Sequence, residues 1–307
     1  MKRGFTVLVL LLVVTCLNLA GQPARKYIKA GEEFTRNGML EDAIDQYSKA
    51  IDEDPASADG YVRRARVYEM TGSWGLACDD YRRASNFLPD DTGILYNLGR
   101  MCNMLGASAK STPEEKTGFY TEAVKNLQKA IRKEFRNGKL YTEKVVALIG
   151  LEQWDKALGA SDTAIQMRDD AVNYYHQGII FQKKGDDNTA RRQLEKAVTK
   201  DKSFAAARLE LARVLVRQGD VNSALGQCNM VIQQDVKNVE AYLTRATVYE
   251  AKLDYPSAIN DVSTAILLEP AGLQHYITRG TCYQKFNQHL AAVNDFTRAL
   301  SIDQFRP

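Results

Sequence analysis

Residues Ala24 to Ser57 read ARKYIKAGEEFTRNGMLEDAIDQYSKAIDEDPAS, and this stretch can be laid over the remaining chain seven more times. The register is carried by small residues. Starting from Ala43, an alanine recurs at Ala77, Ala123, Ala157, Ala190, Ala224, Ala258 and Ala292, a period of 34 residues with one long interval and one short by a residue. Seven positions on runs a second row, Ala50, Ala84, Ala130, Ala164, Ala197, Val231, Ala265 and Ala299. Twelve positions before the first lies a third, Gly31, Ala65, Gly99, Val145, Gly178, Ala212, Ala246 and Gly280. Four residues earlier is an aromatic row, Tyr27, Tyr61, Tyr141, Tyr174, Tyr242 and Tyr276, interrupted by Leu95 and Arg208. A fixed period of this length marks a solenoid, whose units bury their apolar faces only by stacking on one another.

Within the unit, Tyr27, Ala30, Gly31 and Phe34 fall on one face of a helix at i, i+3, i+4 and i+7. Ala43, Tyr47 and Ala50 do the same for a second helix. Gly38 lies between them, where a residue free to take positive φ ends one helix and lets the chain reverse. Small residues at the crossing allow two backbones to approach closely. The unit is thus expected to be a helical hairpin and the fold all-α, with no strand pattern anywhere in the chain.

The series Tyr27, Ala30-Gly31, Phe34, Ala43, Tyr47, Ala50 and Pro55 resembles the signature of the tetratricopeptide repeat. The resemblance covers about residues 24–306 in eight repeats: 24–57, 58–91, 92–137, 138–170, 171–204, 205–238, 239–272 and 273–306. It implies one right-handed α-solenoid over residues 22–307, a protein-interaction scaffold with no cofactor. The departures are few. Closing prolines occur only at Pro55, Pro89 and Pro270, Arg208 stands at the first aromatic of the sixth unit, and Ser161 at the third aromatic of the fourth.

Residues 1–21 read as a secretory signal: Lys2 and Arg3, an apolar run from Phe5 to Val14, then Ala20 and Gly21. The run is short for a membrane span, so an exported, periplasmic protein starting at Gln22 is expected. Acylation at Cys16 as an outer-membrane lipoprotein is the alternative, although Thr15 fits that motif poorly. Loss of the segment removes two bases and no acid, leaving 39 basic against 38 acidic residues. Such a balance argues against nonspecific nucleic-acid binding. Cys78, Cys102, Cys228 and Cys282 occupy core-type helix positions without CxxC spacing and read as small core residues, with one or two disulfides as the alternative.

Three details predict local structure. Arg64 with Asp80, Arg245 with Asp261 and Arg279 with Asp295 stand at matching positions, while hairpins without the arginine carry Gln46, Asn126, Ala160, Gln193 or Gln227 in place of the aspartate. The joint exchange predicts ion pairs between the two helices of one hairpin. Gly185 and Gly219 keep the hairpin turn, which Glu152, Leu253 and Asn287 take over elsewhere. In the third unit twelve extra residues lie between Gly106 and Ala123, and Thr112-Pro113-Glu114-Glu115 predicts a second helix that starts about two turns early. Phe119 and Tyr120 on that extension are candidates for a docking edge.

Catalytic motifs are absent from the sequence. His176, His275 and His289 are far apart in register, and no P-loop, GxSxG or metal-ligand spacing occurs. Function is expected on a surface. In the family the second, fifth, ninth, twelfth and thirteenth positions of helix A line the concave face. Carried over, the candidate groove residues are Val62, Arg66, Tyr96, Arg100, Tyr175, Lys183, Leu209, Arg213, Arg217 and Lys285. Nine bases against five acids at these positions suit an acidic protein segment or a free carboxyl end. The lysine and asparagine of the family's carboxylate clamp are replaced by Ile28 and Glu32. No polar capping helix follows the eighth hairpin, so Phe296, Leu300 and Phe305 are expected to be exposed on this chain, with a partner or further chain to cover that end. Two other functions compete: the amino-terminal recognition module of a larger outer-membrane or secretion assembly, and an enzyme with a catalytic set in the groove.

Overall fold

A computed structural model describes residues 22–304. The expected signal segment and Cys16, like Phe305, lie outside them. The described residues form sixteen helices and no strand. In chain order these are α1 Gln22–Arg36, α2 Leu40–Glu53, α3 Ala58–Met70, α4 Trp74–Phe87, α5 Thr92–Ala107, α6 Pro113–Lys133, α7 Gly138–Gly150 and α8 Trp154–Met167. They continue as α9 Ala171–Lys183, α10 Asp187–Lys200, α11 Ala205–Arg217, α12 Val221–Gln234, α13 Val239–Ala251, α14 Tyr255–Leu268, α15 Leu273–Lys285 and α16 His289–Gln304. Contacts group them into two compact units that divide at Met167 and Arg168. Each unit holds four hairpins.

All three small-residue rows are buried. Ala43, Ala77, Ala123, Ala157, Ala190, Ala224 and Ala258 have no exposed surface. In most hairpins the residue of the third row meets a residue of helix B whose bulk is inversely matched to it; in the second, Ala65 stands opposite the buried Tyr81. A Cβ built on Gly31 would lie 2.5 Å from the Tyr47 ring, on Gly99 2.7 Å from Leu127, on Gly178 2.6 Å from Leu194, and on Gly280 2.7 Å from Phe296. Where the row carries Val145 or Ala212 instead, the opposing positions are Ser161 and Cys228, both buried. Interiors are packed too densely for either partner to change alone. Ser161 even leaves its hydroxyl without a hydrogen-bond partner. Its small volume is what that site selects, at the usual expense of an unpaired buried polar atom.

Seven hairpins turn through a residue of positive φ at one register position. Gly38, Gly72, Gly185 and Gly219 take φ of 74° to 81°, and Glu152, Leu253 and Asn287 take 55° to 61°, as the sequence predicts. The turn is closed by a bond from the following amide back to the helix, such as Met39 N to Phe34 O at 2.9 Å and Asp254 N to Tyr249 O at 2.9 Å. In the third hairpin α6 begins at Pro113 behind a complete capping box of Thr112 and Glu115 and runs 21 residues against 14 for α4. The insertion therefore lengthens helix B by two turns.

The three arginine–aspartate pairs form as two-pronged bridges. Arg64 reaches Asp80 at 2.8 and 2.9 Å, Arg245 reaches Asp261 at 2.8 and 2.7 Å, and Arg279 reaches Asp295 at 2.8 Å twice. A further nitrogen of each donates backwards to the preceding hairpin, at Ser48, Asn229 and Ser263. One guanidinium thus ties three helices. The tyrosine row has a matching role: Tyr61, Tyr242 and Tyr276 donate their hydroxyls to the carbonyls of Pro55, Val236 and Pro270 in the linker six residues before. Arg208 looked like an exception in sequence, yet it donates to the Lys202 carbonyl at 3.0 and 2.9 Å, again six residues back. The function of the tyrosine is kept by a different donor.

The four cysteines are free and buried. Cys78 and Cys102 lie with their sulfurs 3.7 Å apart between α4 and α5.

Two outcomes test this packing. Gly178→Ala gains helix propensity but is expected to destabilise by about 1–3 kcal/mol through overpacking on Leu194. Adding Leu194→Val, which reproduces the chain's own combination of Ala246 with Val262, restores most of the loss in chemical denaturation. Arg245→Met strands the buried Asp261 carboxylate and is expected to lose about 3–5 kcal/mol. A second change, Asp261→Gln, places there the residue that Gln193 and Gln227 supply in their hairpins and recovers a measurable part.

Candidate functional site

The candidate groove residues sit on the first helices of their hairpins, and each unit is described by itself. In the first unit Val62 and Tyr96 are half-buried, and Arg66 projects into solvent from α3. Arg100 pairs with Glu69 and lies 6.0 Å from the Tyr96 ring. Glu69 is held from its other side by the Tyr81 hydroxyl at 2.6 Å. Burial pushes that phenol up to about 12, partly offset by the positive charge of Arg66. Further along, the Asn103 amide donates to the Glu143 carbonyl at 3.0 Å and to its carboxylate at 2.9 Å, and burial pushes the Glu143 carboxyl up.

Arg66 separates two recesses. One, of about 360 Å³, is walled by Glu32, Thr35, Arg36, Tyr47, Arg63 and Val67. The other, of about 220 Å³, lies over Val62, Leu88, Asp91, Ile94 and Asn97. Arg63 is already bound by Glu32 and, at 2.7 Å, by Asp59. Arg36 and Arg66 carry no ion pair among the described residues, although Arg66 also reaches the Tyr81 hydroxyl, so the first recess has two guanidinium groups without a carboxylate partner over an aromatic and aliphatic wall.

In the second unit Tyr175 packs its ring 5.1 Å from Phe204 and 5.6 Å from His176. The His176 imidazole is pushed down to about 4 by burial, so it is neutral across the physiological range. Leu209 is 1 % exposed and belongs to the core of α11 and its neighbours. It was expected on the groove floor, and its side chain is instead consumed in packing. Arg213 binds Glu210, Glu240 at 2.9 Å and the Thr244 hydroxyl at 3.1 Å. Arg217 grips Asp187 with two bonds of 2.9 and 2.7 Å, and Lys285 meets Glu250 at 2.6 Å. Lys183 alone of the four expected cations of this unit is exposed without an ion pair.

The net basic face expected from position counting is therefore neutralised in part within the protein, at four of its nine bases. Arg100, Arg213, Arg217 and Lys285 each hold a carboxylate, leaving Arg66 and Lys183 from the predicted set. Two of the neutralising acids, Glu210 and Asp187, stand outside the family's groove positions and were not in the count. Arg36 and Arg63 gain weight as groove residues because the recess brings them beside Arg66.

The two other expected surfaces also change. Phe119 and Tyr120 on the extension of α6 pack against the core of the first unit. Tyr120 fills the space over both Gly106 and Gly150, where added Cβ atoms would lie 2.7 and 2.4 Å from its ring. The ring faces into the stack and does not project as a knob. At the last hairpin Phe296 is half-buried over Gly280, against the expectation of exposure, while Leu300 is 64 % exposed as expected. Among the described residues no three His, Cys, Asp or Glu side chains converge as metal ligands, and no helix is long and apolar enough to cross a membrane.

Two family models, each described as Tetratricopeptide repeat, match residues 28–87 and 183–248, one in each unit. A curated relative, the rat (Rattus norvegicus) DnaJ homolog subfamily C member 3, is 27 % identical over 104 residues, covering 34 % of this chain and 21 % of its own length. The chain thus spans about a fifth of that relative. Among solved structures, a chain of the APC/C hetero-tetramer Cut9–Hcn1 superposes with a TM-score of 0.62 at 15 % identity over 87 % of this chain and 50 % of that one. A tetratricopeptide repeat protein from Parabacteroides merdae gives 0.55 at 18 % identity, covering 92 % of this chain and 94 % of its own. Yeast Tom70 gives 0.52 at 12 % identity, covering 92 % and 77 %. Eight hairpins in one register, buried small-residue rows and both family matches agree: the chain belongs to the tetratricopeptide repeat proteins and has the build of a protein-interaction scaffold.

Proposed function

We propose that the protein is a non-catalytic scaffold of the cell envelope, exported to the periplasm, that holds a segment of a partner protein against the exposed faces of its first helices. The observation that supports this most directly is the recess at Arg36, Tyr47, Arg63 and Arg66. It couples apolar wall with two uncompensated guanidinium groups, the combination that recognises a segment with both apolar and acidic side chains. The paired cations have a different part. Arg100, Arg213, Arg217 and Lys285 stiffen the faces on which a partner lies, so binding does not need to order them first.

The envelope location rests on Lys2, Arg3 and the apolar run from Phe5 to Val14. A recognition module of a larger assembly is the second reading, favoured because the matched chain of the Cut9–Hcn1 complex and the rat relative both extend well beyond the part that this chain matches.

Peptides selected by phage display against the mature protein should be enriched in acidic and apolar residues. Arg36→Glu with Arg66→Glu is expected to weaken them about tenfold or more in fluorescence anisotropy, while Arg217→Glu, at a cation of the other unit already paired with Asp187, is expected to leave their affinity unchanged. Undiminished affinity in the first variant would remove the recess from the binding surface. For the location, N-terminal sequencing of protein from envelope fractions is expected to begin at Gln22; an acylated Cys16 would establish the lipoprotein, and an intact Met1 would refute export by cleavage.

A further inference from the structure

In hairpins 2, 7 and 8 a basic residue at the seventh position of helix A meets an aspartate of helix B: Arg64 with Asp80, Arg245 with Asp261, Arg279 with Asp295. Only one other hairpin has a base at that seventh position. It is Lys144 of α7, and the residue of α8 that should answer it is Ala160. Its neighbours Gly159 and Thr163 stand where hairpin 2 carries Asp79 and Arg83.

The deleted side chains are not replaced by others. A recess of about 460 Å³ opens between α6, α7 and α8, with Lys144, Lys156 and Gln128 on its polar side and Tyr141 and Leu148 on its apolar side. No acid lines it. Lys144 keeps the neutral half of the arginine's arrangement, since its ammonium donates at 2.5 Å to Gln128, sixteen residues back, as Arg64 does to Ser48, Arg245 to Asn229 and Arg279 to Ser263. Among the described residues Lys156 is held only by Gln153, at 3.0 Å. Burial and the charge of Lys156 hold the Lys144 amino group below the usual lysine range, the mark of two cations that lack a counter-ion.

We infer that this recess receives an aspartate or glutamate side chain of a partner protein, seated on Lys144 and Lys156 where Asp80, Asp261 and Asp295 sit in their own hairpins. The three sister hairpins show what chemistry fits, a carboxylate beside a cation, and Tyr141 keeps here the register position of Tyr61, Tyr242 and Tyr276. The apolar wall of Tyr141 and Leu148 extends past the amino groups and gives the flanking residues of a peptide a surface that a free carboxylate would not use. This site is separate from the recess at Arg66, and neither depends on the other.

The test is calorimetric titration of the mature protein with an acetylated, amidated peptide carrying one aspartate between leucines, with its asparagine counterpart, and with succinate. The aspartate peptide should bind, the asparagine peptide about tenfold or more weakly, and succinate more weakly than the aspartate peptide. Lys144→Met should lose binding. Ala160→Asp should also lose it while raising the melting temperature, because the chain then supplies its own carboxylate, and Arg66→Glu should leave it unchanged. The second variant separates loss of the site from loss of the fold. Absence of binding at millimolar peptide, equal binding of the asparagine peptide, or undiminished binding to Ala160→Asp overturns the inference; succinate binding as tightly as the peptide overturns the assignment to a protein partner.

Discussion

The close approach of the two helices within each hairpin is the constraint on which the remaining structure depends. One position of helix A and one of helix B share a volume there, divided as glycine with tyrosine, leucine or phenylalanine, as valine with serine, or as alanine with cysteine, valine or, in the second hairpin, tyrosine. Once that volume is filled, the helix axes are set. The turn then needs a residue of positive φ to return the chain, even where Leu253 must adopt it at a cost of about 1–2 kcal/mol. The tyrosine or arginine bonds to the linker carbonyls follow from the same geometry.

Electrostatics is layered on this frame and is mostly inward-looking. The buried arginine–aspartate forks bind helices to one another, and the cations of the exposed faces are in part occupied by acids of the same or the next hairpin. Such pairs contribute little net stability when exposed, but they decide which charges remain available to a partner. The available ones include Arg36 and Arg66 at one recess, Arg25, Lys139 and Lys183, and the two lysines of hairpin 4. Recognition by this scaffold is thus a matter of discrete sites and not of a uniformly basic channel.

Hairpin 4 shows how a repeat protein can make a site by subtraction. Its sisters complete an ion pair within themselves. Here the acid is missing, the base remains, and the space is open to solvent. The third hairpin shows the opposite course, in which added residues lengthen α6 and Tyr120 is absorbed between two glycines of adjoining helices.

Much was legible in the sequence because it is governed by short-range periodicity and by repetition. The hairpins, the positive-φ turn at Glu152, Leu253 and Asn287, the early start of α6 and the three arginine–aspartate pairs all follow from spacing within one unit, or from residues that exchange together across units. The candidate site was less legible. Arg217 is neutralised by Asp187, thirty residues before it, and Arg213 by Glu240, twenty-seven after it. Such pairings join neighbouring hairpins, and a count over groove positions tallies charges without showing which of them meet. Leu209 was placed by register on a face that the fold buries, and Tyr120 was placed at an edge that the fold turns inward. The sequence by itself determined the repeating unit, because helix period and turn conformation are local properties of the chain. Only the tertiary structure decided which charges and which rings remain for a partner, because that depends on what adjacent hairpins place within a few ångströms of each side chain.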